Sequence, residues 1–163
     1  MSDNVSPGVL FDLIGSHVPP DLKPHILIIG SIAAAYHHRE SLLHGGIKTK
    51  DADVMIQPAG AIAECRAIAQ RLLDADWRKI EDCFPQDKEN HPNLRAIRLW
   101  PPTSTAYFIE FLVFPDRAQK ERMQWVPIQL ADGWYGLPSF RFLSVVQHDK
   151  KHPPMESCTR RPS

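Results

Sequence analysis

Hydrophobic and polar positions divide the chain into short elements. Leu10, Leu13 and Ile14 fall at i, i+3 and i+4, with Val9 beside them, which predicts an amphipathic helix over 7–16. Pro7 stands where a first-turn proline belongs, and Gly15 and Pro19-Pro20 end the helix. His25-Ile26-Leu27-Ile28-Ile29 is a continuous apolar run that stops at Gly30-Ser31, so it reads as a buried strand. The alanine-rich stretch 32–43 reads as a helix that Ser31 can cap and Gly45-Gly46 close. A second strand runs over 52–56 and stops at Pro58. In 60–76, Ile62, Cys65, Ala69, Leu72 and Leu73 share one face of the clearest helix in the chain.

Further strands are expected over 77–84, 94–100, 107–114 and 125–130. A polar loop separates the first two, and Asp132-Gly133 turns the chain after the last. Pro138 is expected to start a final helix reaching about Lys150. The expected class is therefore α+β, a mixed β-sheet with flanking helices on one side. Residues 1–150 are expected to form a single domain and 151–163 a flexible tail. No internal repeat or low-complexity tract is evident.

Composition narrows the class. At 163 residues, 43% hydrophobic and 23% charged, the chain is long enough and apolar enough for a core without staples. Lys+Arg and Asp+Glu both number 19, which excludes a strongly basic nucleic-acid coat or an acidic tail but not a local patch. No apolar run approaches the roughly 20 residues of a bilayer span, and the first residues lack a signal-peptide pattern, so no membrane partner is expected. Three cysteines, Cys65, Cys83 and Cys158, form no CxxC pair, which points to a reducing cytoplasm. Fifteen prolines punctuate the short elements.

Three acids stand where acids are unexpected. Asp51 and Asp53 flank Ala52 at the start of a strand, and residues two apart share a face. Two carboxylates so placed repel unless a cation lies between them; the same spacing is also common in solvated turns. Glu110 interrupts the apolar strand Tyr107-Phe108-Ile109-Glu110-Phe111-Leu112-Val113-Phe114 and needs a partner. That partner is either a metal or an arginine, Arg95 or Arg98, on the adjacent strand, unless Glu110 lies on the exposed face of the sheet. If neighbouring strands bring the three acids together, they make a hard oxygen site suited to Mg²⁺. Gly30-Ser31, between a strand and a helix, is either an ordinary capped turn or a phosphate cradle built on a helix N-terminus. Neither a P-loop nor a Rossmann fingerprint is present.

Other candidates are weaker. His148 and His152 share a helical spacing, but Pro153 follows and a third zinc ligand is not evident. Trp134-Tyr135, in a glycine-flanked loop, is the aromatic pair most suited to stacking.

Together these residues resemble the nucleotidyltransferase fold. The resemblance rests on a hydrophobic strand ending in Gly30-Ser31, the segment Thr49-Lys50-Asp51-Ala52-Asp53-Val54-Met55-Ile56, and the distant acid Glu110. It covers about residues 25–115 and is expected to extend to the helix at Leu137-Pro138-Ser139-Phe140; small bacterial members, the minimal nucleotidyltransferases and abortive-infection toxins among them, have a similar layout. It implies that Asp51 and Asp53 hold Mg²⁺ and that Glu110 completes the site or acts as base. Gly30 and Ser31 would cradle the triphosphate of ATP or another NTP. Lys50 would neutralise phosphate charge or stand solvated. The reaction would move a nucleotidyl group to a small-molecule, protein or RNA hydroxyl. The alternative is a non-catalytic nucleotide- or partner-binding domain of the same fold, including a truncated toxin–antitoxin component. The interval from Gly30 to Asp51 implies an insertion around 37–50, and only one helix is expected after the third acid.

Overall fold

A computed structural model of the chain describes residues 6–38, 49–82 and 94–147. Helix α1 spans Pro7–His17, with Pro7 in its first turn and Leu10 and Ile14 buried. Strand β1, Ile26–Ile29, runs directly into helix α2, Gly30–His37. Strand β2 is Asp51–Ile56 and helix α3 is Ile62–Asp74. Then come β3, Arg78–Lys79; β4, Arg98–Trp100; and β5, Phe108–Val113. Strands β6, Met123–Leu130, and β7, Gly133–Phe140, form a hairpin.

The chain is α+β with a mixed five-stranded sheet in the order β1-β2-β5-β4-β3. Strand β2 pairs antiparallel with β1 and parallel with β5; β4 is antiparallel to both β5 and β3. The β6-β7 hairpin is a second sheet, joined to the first by a parallel bridge between Ala96 and Gly136.

Strand alternation divides the apolar residues between the two faces of the main sheet. Ala52, Val54 and Ile56 of β2, with Ile109, Phe111 and Val113 of β5, face the main core. There Leu10, Ile14, Ile32, Cys65, Ile68, Ala69 and Leu72 of the three helices close over them, joined by Ile128, Leu130, Tyr135 and Leu137 of the hairpin. On the other face Met55 and Leu112 form a smaller cluster with Phe114, Leu143 and the half-buried Leu27, Ile29 and Phe140. That face is apolar at one end only. Its other end carries the acids.

Helix α3 stops cleanly. Asp76 takes a left-handed backbone, with φ of 63°, and turns the chain back. The N–H groups of Asp76 and Trp77 then satisfy the carbonyls of Leu73 and Leu72, at 3.2 and 3.1 Å. This turn sends Trp77 into the core, 2% exposed, where its indole N–H donates to His17 Nδ1 over 2.9 Å. His17→Ala is expected to destabilise the fold by about 1–3 kcal/mol, because the indole N–H is left buried and unpaired. Urea melts of the two proteins measure it, and an unchanged midpoint would show that water replaces the imidazole.

The end of the described chain differs from expectation. Pro138 does not start a helix: it lies inside β7, opposite Trp125. Only from Arg141 does the chain wind, as a 3-10 segment over Arg141–Gln147. The hairpin accommodates Pro127 and Pro138 because both stand where an N–H would point away from the hairpin partner, as that of Gly136 does toward the Arg95 carbonyl, so a missing N–H breaks no rung between β6 and β7. Gly136 fixes the pairing, since a Cβ there would stand 2.7 Å from both Trp125 Cε3 and Leu94 Cβ. The indole ring lies against bare backbone. The expected helix over 32–43 is described only to His37, and the expected strands 77–84 and 94–100 shorten to two and three residues. The tail 151–163, and with it Cys158 and His152, lies outside the described residues, as do His148, Cys83, His44 and Arg39.

Candidate functional site

The register of the sheet assembles the candidate residues. One row across it reads Ile29, Asp53, Glu110, Arg98, on β1, β2, β5 and β4 in turn. Residues in register present their side chains on the same face, and Asp51, two positions before Asp53, presents its own there too. Asp51 stands opposite Phe108. Asp51, Asp53 and Glu110 therefore share one face, at the end that Met55 and Leu112 leave uncovered.

Each acid has a different environment. Asp51 is exposed, and its Oδ1 accepts a bond from the Thr49 hydroxyl at 2.8 Å. The same hydroxyl lies 3.0 Å from the Asp51 carbonyl, so Thr49 fixes the start of β2 as well as the carboxylate. Asp53 is half-buried and lies against Gly30. A Cβ on Gly30 would stand 2.8 Å from Asp53 Oδ2. Burial, and then the negative charges of Asp51 and Glu110, push Asp53 up from 3.8 to about 6. Glu110 is paired: Arg98 Nε donates to its Oε2 over 2.7 Å. Arg98 Nη1 reaches Asp82 Oδ2 at 3.0 Å, and its guanidinium lies 5.8 Å from the Phe108 ring centre. Of the two arginines the sequence offers Glu110, the structure takes Arg98. Asp82 was missed, because it reaches Arg98 from the turn after β3 and no local pattern marks it.

Gly30 and Ser31 take part differently from a capped turn. Ser31 does not cap α2: the residue before the helix is Ile29, and no side chain bonds the helix start. Gly30 opens the helix itself, with φ of +76°, a backbone that a side chain rarely adopts. Its missing Cβ lets the Asp53 carboxylate sit at the positive end of α2. Ser31 is exposed beside it. Lys50 is also exposed; its carbonyl accepts the Phe108 N–H at 2.8 Å and so locks β5 onto β2.

The remaining candidates are structural. Tyr135 is fully buried and belongs to no stacking loop. Its hydroxyl donates to Asp132 at 2.9 Å and accepts from Lys79 Nζ at 3.1 Å, tying the hairpin turn to β3. Burial pushes the Cys65 thiol up, which removes it as a nucleophile. Among the described residues, no three of His, Cys, Asp and Glu stand as a ligand set for a metal ion.

The donor chemistry still fits a hard cation. The face offers carboxylate oxygens, and Asp53 is held up partly by the repulsion that a cation would remove. Magnesium is commonly bound by one or two carboxylates, with waters and substrate phosphates in the remaining places. Asp51 and Asp53 meet that pattern without a third protein ligand.

Arg98 sets how negative this face is. Arg98→Gln is expected to raise Asp53 further above about 6, since Glu110 then repels it unopposed. Cation affinity should rise roughly threefold to tenfold for the same reason. An NMR titration of the Asp53 carboxyl and a Mg²⁺ titration test the two effects; no movement in either would mean that Arg98 and Asp53 are electrostatically separate.

Comparison with family models, with curated proteins and with solved structures found no match to this chain. No helix among the described residues is long and apolar enough to cross a membrane.

Proposed function

We propose that the face bearing Asp51, Asp53 and Glu110 is a Mg²⁺-dependent nucleotidyl-transfer site that takes an NTP and passes its nucleotidyl group to a hydroxyl. One observation carries this reading. The row Asp53–Glu110, with Asp51 on the same face, meets the glycine-started helix α2 at Gly30. A nucleotidyltransferase-like fold needs that juxtaposition: an acidic pair, a third acid on the parallel neighbour, and a helix N-terminus beside them.

The chain's own residues supply positioning and charge. Thr49 orients Asp51, and the parallel pairing of β2 with β5 fixes Asp53 beside Glu110. The exposed Ser31 hydroxyl and the first N–H groups of α2 suit a phosphate oxygen at the rim. Arg98 offsets the charge of Glu110, so that the face does not repel a polyphosphate outright. A bound Mg²⁺ would polarise the α-phosphate and acidify the attacking hydroxyl.

A second reading is favoured by one observation. Arg98 already occupies Glu110, which suits a domain that binds a nucleotide without turnover. Incubation with each labelled NTP, Mg²⁺ and total cell RNA and protein separates the two. Label transferred to a recipient, and lost with a chelator or in Asp53→Asn, supports transfer. Mg²⁺-dependent NTP binding without labelled product supports the second reading. Neither binding nor transfer ends both.

A further inference from the structure

Beside the 3-10 segment that follows β7 lies a groove of about 730 Å³, lined by Arg122, Met123, Phe140, Arg141, Phe142 and Ser144. We infer that this groove binds single-stranded nucleic acid, its bases stacking on Phe142 and its phosphates meeting Arg122 and Arg141.

Two kinds of recognition group meet in this groove. Phe142 is 66% exposed, and Met123 beside it 42%; among the described residues only Val9 and Trp125 are other large apolar side chains so exposed. The Phe142 ring lies 5.6 Å from that of Phe140, tilted by 37°, so the two make a stepped aromatic surface. Among the described residues that line the groove are two arginines and no carboxylate. The Arg141 N–H donates to the Arg122 carbonyl at 3.0 Å, which keeps the arginine backbones side by side. Arg141 Nη1 donates to the Lys120 carbonyl at 2.8 Å. That bond steadies the guanidinium and leaves its other N–H donors for a ligand.

The charge of the groove selects its occupant. Residues 148–163 carry Lys150, Lys151, Arg160 and Arg161 against Asp149 and Glu156, so that segment is basic and does not complement two arginines. An acidic peptide would meet the arginines but leave the phenylalanine steps unused. A single strand uses both, because every base has a face to stack and every link carries a phosphate. A duplex hides its base faces and cannot use Phe142. The groove backs onto Phe140 and Leu143, whose apolar sides pack with Met55 and Leu112. Met55 and Leu112 follow Asp53 and Glu110 by two positions on their strands, so the groove adjoins the apolar end of the face that bears the acids. The inference stands whether or not the acids turn over a nucleotide.

The test uses fluorescence anisotropy with labelled single-stranded RNA and DNA of about 15 nucleotides, and duplexes of the same sequence. Salt is varied from roughly 50 to 200 mM. The expected result is binding of the single strands, weaker binding of the duplexes, and a loss of affinity as salt rises. Phe142→Ala should weaken binding about fivefold to a hundredfold. It removes an exposed ring, so folding is not at stake. Arg122→Gln should weaken binding and lower the slope of log affinity against log salt by about 0.7. Absence of binding overturns the inference, as does binding that neither variant changes or that the duplex matches. Self-association that Phe142→Ala abolishes while leaving oligonucleotide binding intact also overturns it, since the groove would then seat a second copy.

Discussion

Asp53→Asn is expected to stabilise the metal-free protein at neutral pH by about 1–2 kcal/mol, against the usual direction for a substitution in a strand. In the folded chain Asp53 is held up at about 6 from an ordinary 3.8, by burial first and then by Asp51 and Glu110. The folded state therefore binds this proton more tightly than the unfolded state does. Stability falls as pH rises from about 4 to about 6 and is level above that. Asparagine has no such loss, so the variant should gain its full advantage above pH ~6 and none near pH ~3.5. The range allows for solvent screening of a half-exposed group. A gain of this size raises the melting temperature by about 2–8 °C for a chain of this length.

Magnesium should close most of that gap. At ten times its dissociation constant, a cation bound only by the native state adds about 1.4 kcal/mol to the parent. The variant should lose most of that gain, and the proposed transfer activity should fall with it by on the order of a hundredfold or more. Thermal melts of both proteins across pH, with and without Mg²⁺, give all of these quantities. A destabilised variant beside a parent that ignores Mg²⁺ would refute the site, and would mark Asp53 as a structural ion-pair member.

The acidic pair was legible because its signal is local. A strand's period of two places Asp51 and Asp53 on one face whatever the rest of the fold does. Glu110 was legible as an interruption of an apolar run, but the neighbouring strand offered it two arginines, Arg95 and Arg98, and only the pairing of β4 with β5 selects Arg98. The row itself was not legible. That Asp53 stands opposite Glu110 depends on β5 pairing parallel to β2, a contact more than fifty residues away in sequence. The misread elements have a common cause. Pro138 looks like a helix start because a first-turn proline is favourable, yet a hairpin edge tolerates it equally. What decides is Trp125 lying over Gly136, a cross-strand contact that no window around Pro138 contains. Ser31 looked like a cap because serine before an alanine run often is one. The helix instead starts two residues earlier, at Gly30, which adopts a φ of +76° and needs no cap to turn.

Gly30 therefore carries the second large effect. Gly30→Ala is expected to destabilise the fold by about 2–3 kcal/mol, from two separable sources. An alanine forced to φ of +76° costs about 1–2 kcal/mol wherever it stands. Its Cβ would also meet Asp53 Oδ2 at 2.8 Å. A carboxylate oxygen is the far end of a side chain that can rotate, so the collision displaces Asp53 and does not unwind α2. That displacement costs roughly 0.5–1.5 kcal/mol in rotamer strain. A double-mutant cycle with Asp53→Ala divides the total. In the Asp53→Ala background the new methyl meets only a Cβ about 4.0 Å away, an ordinary contact. There Gly30→Ala should cost the backbone term alone. The coupling between the two sites should thus be about 0.5–1.5 kcal/mol. In the parent background, Gly30→Ala should also remove the Mg²⁺-dependent gain in melting temperature, because the displaced carboxylate no longer faces Asp51 across the site. Zero coupling with an intact Mg²⁺ response would mean that Gly30 serves only the turn from β1 into α2, and that the helix start and the acidic pair act separately.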